Sequence, residues 1–98
     1  KADRNTLRQV ADDIRNRIKS GIIVLGTTSG EKVSLLVMVT EDLTGRIKAN
    51  ELIRPVAKFV QGGGGGKPDM AEAGGKNPAG LKDALDSVYE QVEKMLGE

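Results

Sequence analysis

The sequence predicts a small α+β fold, in which a β-hairpin and a third strand form a sheet packed with about three helices. Three observations predict it. Apolar residues recur at helical spacing in three segments, two β-branched runs flank a polar turn, and a glycine tract precedes a further short apolar stretch.

In the first segment Leu7, Val10, Ala11, Ile14 and Ile18 form one helical stripe, with Arg8, Asp12, Arg15 and Lys19 opposite, and Gly21 ends the helix. Residues 22–25 and 33–39 are the two strand-like runs. Thr27, Thr28, Ser29 and Gly30 lie between them, a hairpin with a turn longer than the minimal one. In the second run Val33, Leu35, Val37 and Val39 face one way, and Ser34, Leu36 and Met38 the other. Both sets are largely apolar, so this strand is expected to be covered on both faces. After a polar connection over 40–49, Asn50 is placed to cap a second helix with Leu52, Val56, Phe59 and Val60 on its buried side. Pro55 sits past the first turn of that helix and removes one intrahelical hydrogen bond. Residues 70–74 read as a third strand. Asn77 then caps the last helix, with Pro78 at its first position and Leu81, Leu85, Val88 and Val92 on one stripe. Its other face, with Asp83, Asp86, Glu90 and Glu93, is acidic. Residues 1–98 are thus expected to form a single globular domain.

The 98 residues contain no cysteine and no histidine. That removes thiolate and imidazole chemistry: classical zinc sites, Cys nucleophiles and His general bases. The adjacent carboxylates Asp12 with Asp13 and Glu41 with Asp42 point apart on regular structure and read as solvated. No catalytic residue, metal ligand or cofactor is therefore expected in this chain. With no disulfide available, a reducing, cytoplasmic setting suits the composition. No run is long and apolar enough to span a bilayer as a helix. Because the chain starts at Lys1 without a Met, it is expected to be a fragment of a longer protein. Phe59 and Tyr89 are its only aromatics, too few for the stacking platforms that readers of single-stranded bases use.

The net charge of +1 conceals segregation. Residues 1–19 carry six bases and three acids, and residues 69–98 carry seven acids and three bases. Residues 46–67 carry Arg46, Lys48, Arg54, Lys58 and Lys67 against Glu51 alone. Clustered charge of this kind governs phosphate binding more than the total does.

This basic stretch adjoins five consecutive glycines, Gly62, Gly63, Gly64, Gly65 and Gly66, followed by Lys67, Pro68 and Asp69. Glycine runs are floppy when they serve as linkers. Here the tract contains no serine, has a stiff exit, and lies between apolar elements of the only candidate core. It is read as a glycine loop whose unshielded backbone N–H groups can meet an anion or lie flat against a sugar or base. A Walker A loop would need a glycine at Gln61 and a Ser or Thr at Pro68, and the Rossmann spacing needs one more residue than the tract supplies. Both motifs also follow a strand, whereas this tract follows a helix.

The stretch from Gly62 through Lys67, Pro68, Asp69, Met70, Ala71, Glu72 and Ala73 to Gly74 and Gly75 resembles the glycine-rich signature near the C-terminus of alanyl-tRNA synthetases. That signature belongs to the wider DHH-associated domain family, which also stands behind the catalytic domain of DHH phosphoesterases. The similarity extends over most of the chain. In the phosphoesterase branch a histidine follows a shorter glycine run and helps hold substrate. This chain has Lys67 there, which favours the synthetase branch.

The resemblance implies a non-catalytic appendix that docks on the elbow of tRNA, alanine-specific tRNA in this family, and helps aminoacylation and editing sites share it. Its partners would be tRNA and the other domains of the same synthetase. The phosphate-facing set is expected to be Arg46, Lys48, Arg54, Lys58, Lys67 and Lys76, with the five glycines as a close-contact surface. Two alternatives stand beside it: the substrate-holding half of a DHH phosphoesterase, and a dimerisation module pairing through Leu7, Ile14 and Ile18 to give a homodimer.

Overall fold

The computed structural model describes residues 4–97. Lys1 and Asp3 of the basic N-terminal stretch, and Glu98 of the acidic tail, lie outside the described residues. The order is α1 (Arg4–Arg17), β1 (Ile22–Ser29), β2 (Lys32–Val39), α2 (Ala49–Lys58), β3 (Gly63–Gly66), β4 (Met70–Gly75) and α3 (Leu81–Gly97). Short 3-10 turns at Glu41–Leu43 and Pro78–Gly80 precede α2 and α3. The four strands form one antiparallel sheet in the order β1-β2-β4-β3. The α+β architecture matches expectation with one strand added. The glycine tract is not a loop but a strand.

Each face of the sheet has its own core. Odd residues of β2, namely Val33, Leu35, Val37 and Val39, join Ala71 and Ala73 beneath α2 and α3, where Leu52, Ile53, Val56 and Val60 are fully buried. Even residues Leu36 and Met38 join Ile23, Leu7 and Ala11, so α1 covers the opposite face. The two apolar faces of β2 therefore have the expected cause, a central strand sandwiched between helical layers. Leu7, Ile14 and Ile18 pack on the molecule's own sheet.

Several local expectations are corrected. Val10 is 41% exposed, because α1 is held by the narrower stripe of Leu7, Ala11, Ile14 and Ile18. Phe59 is 42% exposed, since α2 ends at Lys58 and the chain turns there. Lys48 occupies the N-cap of α2 without a side-chain cap bond, and Asn50 lies inside the first turn. The backbone meets that need instead: the Ala49 N–H donates to the Pro68 carbonyl at 2.7 Å. Asn77 does hold an N-cap position with Pro78 just inside, as expected, but of the 3-10 turn that leads into α3, and its side chain makes no cap bond. Pro55 is accommodated within a continuous α2, close enough to its end that few bonds are at stake.

Asp42, read as solvated, ties three elements together. It accepts hydrogen bonds from the Ser20 hydroxyl at 2.5 Å and the Thr40 hydroxyl at 2.6 Å, and Thr40 Oγ1 accepts one from the Gly21 N–H at 3.1 Å. The Ser20 and Thr40 bonds hold the Asp42 carboxyl below its ordinary value of 3.8. A depressed folded-state pKa contributes stability at pH above the unfolded value, and that contribution is lost as pH falls through the folded one. Thermal melts of the wild type and Asp42→Asn are therefore expected to differ most near neutrality and to converge in acid. A constant difference across that range would contradict this reading.

Candidate nucleic-acid interface

The site begins where α2 stops. The Gln61 N–H donates to Lys58 O at 3.2 Å and the Gly62 N–H to Ala57 O at 3.0 Å, the bond pair of a Schellman motif. Gln61 takes the left-handed conformation, φ 54°, that such a motif normally gives to glycine. The chain then runs back alongside α2 as β3. At its far end Lys67 and Met70 exchange backbone bonds, Lys67 N to Met70 O at 2.8 Å and Met70 N to Lys67 O at 3.2 Å, closing a tight hairpin through Pro68 and Asp69. Since Pro68 O receives the Ala49 N–H, the N-terminal end of α2 abuts that hairpin, and its C-terminal end abuts the start of β3.

β3 is an edge strand, with β4 on one side and no strand on the other. The five glycines of the tract divide by register. A Cβ on Gly62 would lie 1.9 Å from Gly74 O, one on Gly64 2.0 Å from Glu72 O, and one on Gly66 2.5 Å from Met70 O. Those positions must be bare because the backbone of β4 presses against them. A Cβ on Gly63 or Gly65 would meet nothing within 4 Å. Packing therefore explains three of the glycines and leaves two unexplained.

Register also assigns the open pair a face. Gly65 stands opposite Glu72, which pairs with Leu36, and Gly63 stands opposite Gly74, which pairs with Ser34. Directly paired residues share a face, and Leu36 belongs to the layer under α1. Gly63 and Gly65 therefore look to the α1 side of the sheet.

The predicted cations frame this strand. Lys48 and Lys67 stand at the hairpin end, linked through the Ala49–Pro68 bond. Arg54 and Lys58 are exposed and four residues apart on α2, beside β3. Lys76 joins the other end, its N–H bonded to Val60 O at 2.8 Å. Arg46 is exposed two residues before the α2 N-cap and is the most peripheral of the set.

Among the described residues, three clefts border the sheet. One of about 420 Å³ lies between α1 and the hairpin end of β3, lined by Arg8, Asp12, Arg15, Lys67, Asp69 and Glu72 among others. Its cations are partly committed: Arg8 holds Glu72 through two bonds of 3.0 and 2.5 Å, and Arg15 pairs with Asp12 at 3.2 Å. The Glu72 bonds raise the pKa of Arg8. A second, of about 1090 Å³, contains Glu41, Asp42 and Asp69. The third, of about 560 Å³, is open and lined by Lys32, Val33, Ser34, Gln61, Gly62, Gly63, Gly74, Gly75 and Lys76. Sequence reading missed Lys32, Ser34 and Gln61. An isolated lysine in a turn carries no signal, and only the sheet register brings it near the glycines.

The DHHA1 domain model matches residues 1–94. The chain is 51% identical over 92 residues to an alanine–tRNA ligase of Desulforamulus reducens, covering 93% of this chain and 10% of that protein. It is 57% identical over 82 residues to the alanine–tRNA ligase of Pseudoalteromonas translucida, covering 84% of this chain and 9% of that protein. It thus spans about a tenth of the length of these curated relatives. The crystal structure of the C-Ala domain from Aquifex aeolicus alanyl-tRNA synthetase superposes with a TM-score of 0.84 at 30% identity, covering 100% of this chain and 85% of that one. The chain belongs to the DHHA1 domain family, and within it resembles the C-terminal domain of alanyl-tRNA synthetases.

Proposed function

We propose that this domain is a non-catalytic tRNA-binding appendix of an alanine–tRNA ligase, docking on the tRNA elbow so that aminoacylation and editing sites elsewhere in the enzyme share the tRNA. The observation that carries the reading is the bare pair Gly63 and Gly65. Glycine in a strand sacrifices side-chain packing and conformational entropy, and at these two positions the fold demands no such loss. A smooth main-chain surface suits the contour of a folded RNA. The cations at its two ends, Lys67 and Lys76, and those on the adjoining helix α2 suit phosphate contacts, and a scarcity of aromatics suits recognition by shape over splayed bases. Remaining synthetase domains and tRNA are the partners, and the cytoplasm is the corresponding compartment.

If Lys48, Arg54, Lys58, Lys67 and Lys76 each neutralise one phosphate, the slope of log affinity against log salt is about −4.5 on duplex-like RNA. Affinity would fall about 500-fold between 50 and 200 mM salt. Filter binding of alanine-specific tRNA over that range checks it, with Lys58→Glu/Lys67→Glu expected to flatten the slope by about two. A flat wild-type response would defeat the proposal.

A further inference from the structure

We propose that the open cleft between Lys32 and Lys76 is where the RNA sugar–phosphate backbone seats, so that RNA crosses the α1-side face of the sheet. This rests on the tRNA-binding reading and adds to it a face and three residues: Lys32, Ser34 and Gln61.

Charge selects this cleft from the three. In the other two the cations are offset by carboxylates: Arg8, Arg15 and Lys67 stand with Asp12, Asp69 and Glu72 in one, and Arg15 and Lys19 with Glu41, Asp42 and Asp69 in the other. This one is lined by no carboxylate. Its two lysines make no ion pair among the described residues, in contrast to Arg8 and Arg15. Both are exposed, one from the β1–β2 hairpin and one from the end of β4.

Between them the floor is low. Thr27, Ser34, Gly74 and Gly63 form one cross-strand row by register. Gly63 adds no side chain to that row, and Ser34 adds a hydroxyl that can donate to a phosphate or a ribose oxygen.

Gln61 supplies an independent argument. It occupies a left-handed position where glycine would be unstrained, at the lip of a cleft whose floor keeps glycine where a side chain would fit. The residue choices on both sides of Gly62 oppose what local stability favours. A ligand that needs an amide at the lip and a bare floor behind it accounts for both. The Gln61 amide both donates and accepts, matching a 2′-hydroxyl or phosphate oxygen.

The test uses the 98-residue chain and alanine-specific tRNA, with circular dichroism confirming the fold of each variant. Lys32→Glu/Lys76→Glu is expected to weaken binding at least tenfold and to reduce the salt slope by about two. Lys82→Glu/Lys94→Glu, the same charge change on α3, should alter binding less than threefold. Gln61→Gly should raise the melting temperature while weakening tRNA capture, a divergence that a purely structural Gln61 would not produce. If Arg54→Glu/Lys58→Glu abolishes binding while Lys32→Glu/Lys76→Glu has no effect, RNA lies along α2 and this inference fails while the tRNA-binding reading survives. Equal losses from both charge-reversed pairs, on α3 and at the cleft, would overturn it as well. If the wild-type chain binds no tRNA, both readings fall together.

Discussion

Alanine at Gly64 is expected to destabilise the domain by about 3 kcal/mol or more, while alanine at Gly63, its immediate neighbour, leaves stability within about 0.5 kcal/mol of wild type. The added Cβ at Gly64 would lie 2.0 Å from Glu72 O and 2.6 Å from Ala73 Cα. Both obstacles are main chain of β4, so no side chain can swing aside. The strand must move or unpair, and β3 has no second neighbour to hold it. In a domain of this size that loss lowers Tm by about 12–24 °C. At Gly63 the same methyl enters open space. Thermal melts of the two variants, with tRNA binding measured on Gly63→Ala, separate the roles of the glycines. Equal destabilisation at both sites would mean that folding explains the whole tract, and the argument for a bare docking surface would fall.

The second large effect is expected at Leu36. Replacing it with alanine should cost about 3 kcal/mol, within the range for a buried Leu→Ala change. Leu36 is 0% exposed in the thin layer between α1 and the sheet, where Leu7, Ala11, Ile23 and Met38 are the other buried members. So small a layer cannot close around the cavity, and α1 should loosen first. Hydrogen exchange of the α1 amides would report that loosening directly, and denaturant melts would give the magnitude. Val10→Ala, on the exposed side of the same helix, should change stability by no more than about 0.5 kcal/mol. Comparable losses at the two positions would contradict the assignment of the buried stripe.

Much of the fold was legible because its elements declare themselves locally. The two-sided apolar pattern of β2 announced a central strand, and the stripe from Leu81 to Val92 announced α3. The misreadings share a cause. Val10 and Phe59 are apolar residues whose burial depends on where a partner layer ends, and periodicity does not record that. Asn50 carries good capping chemistry, yet the N-cap of α2 falls at Lys48 and the Pro68 carbonyl serves the helix start. Of the candidate site, the cations on α2 were found from composition. Lys32 was not, because it is thirty residues away in the chain and reaches the glycines only through strand pairing.

By itself the sequence determined the α+β class, the helices, the hairpin (though not its turn, which is the two residues Gly30 and Glu31 because Thr27, Thr28 and Ser29 extend β1), the strand after the glycines, and the absence of thiol and imidazole groups. Side chains encode those features where they stand. Only the tertiary structure decided that the glycine tract is an edge strand, that its open positions face the α1 side, and that Glu72 claims Arg8. A residue without a side chain carries no periodicity to reveal its pairing. Its place is set by hydrogen bonds to a strand elsewhere in the chain, and those exist only once the sheet has assembled.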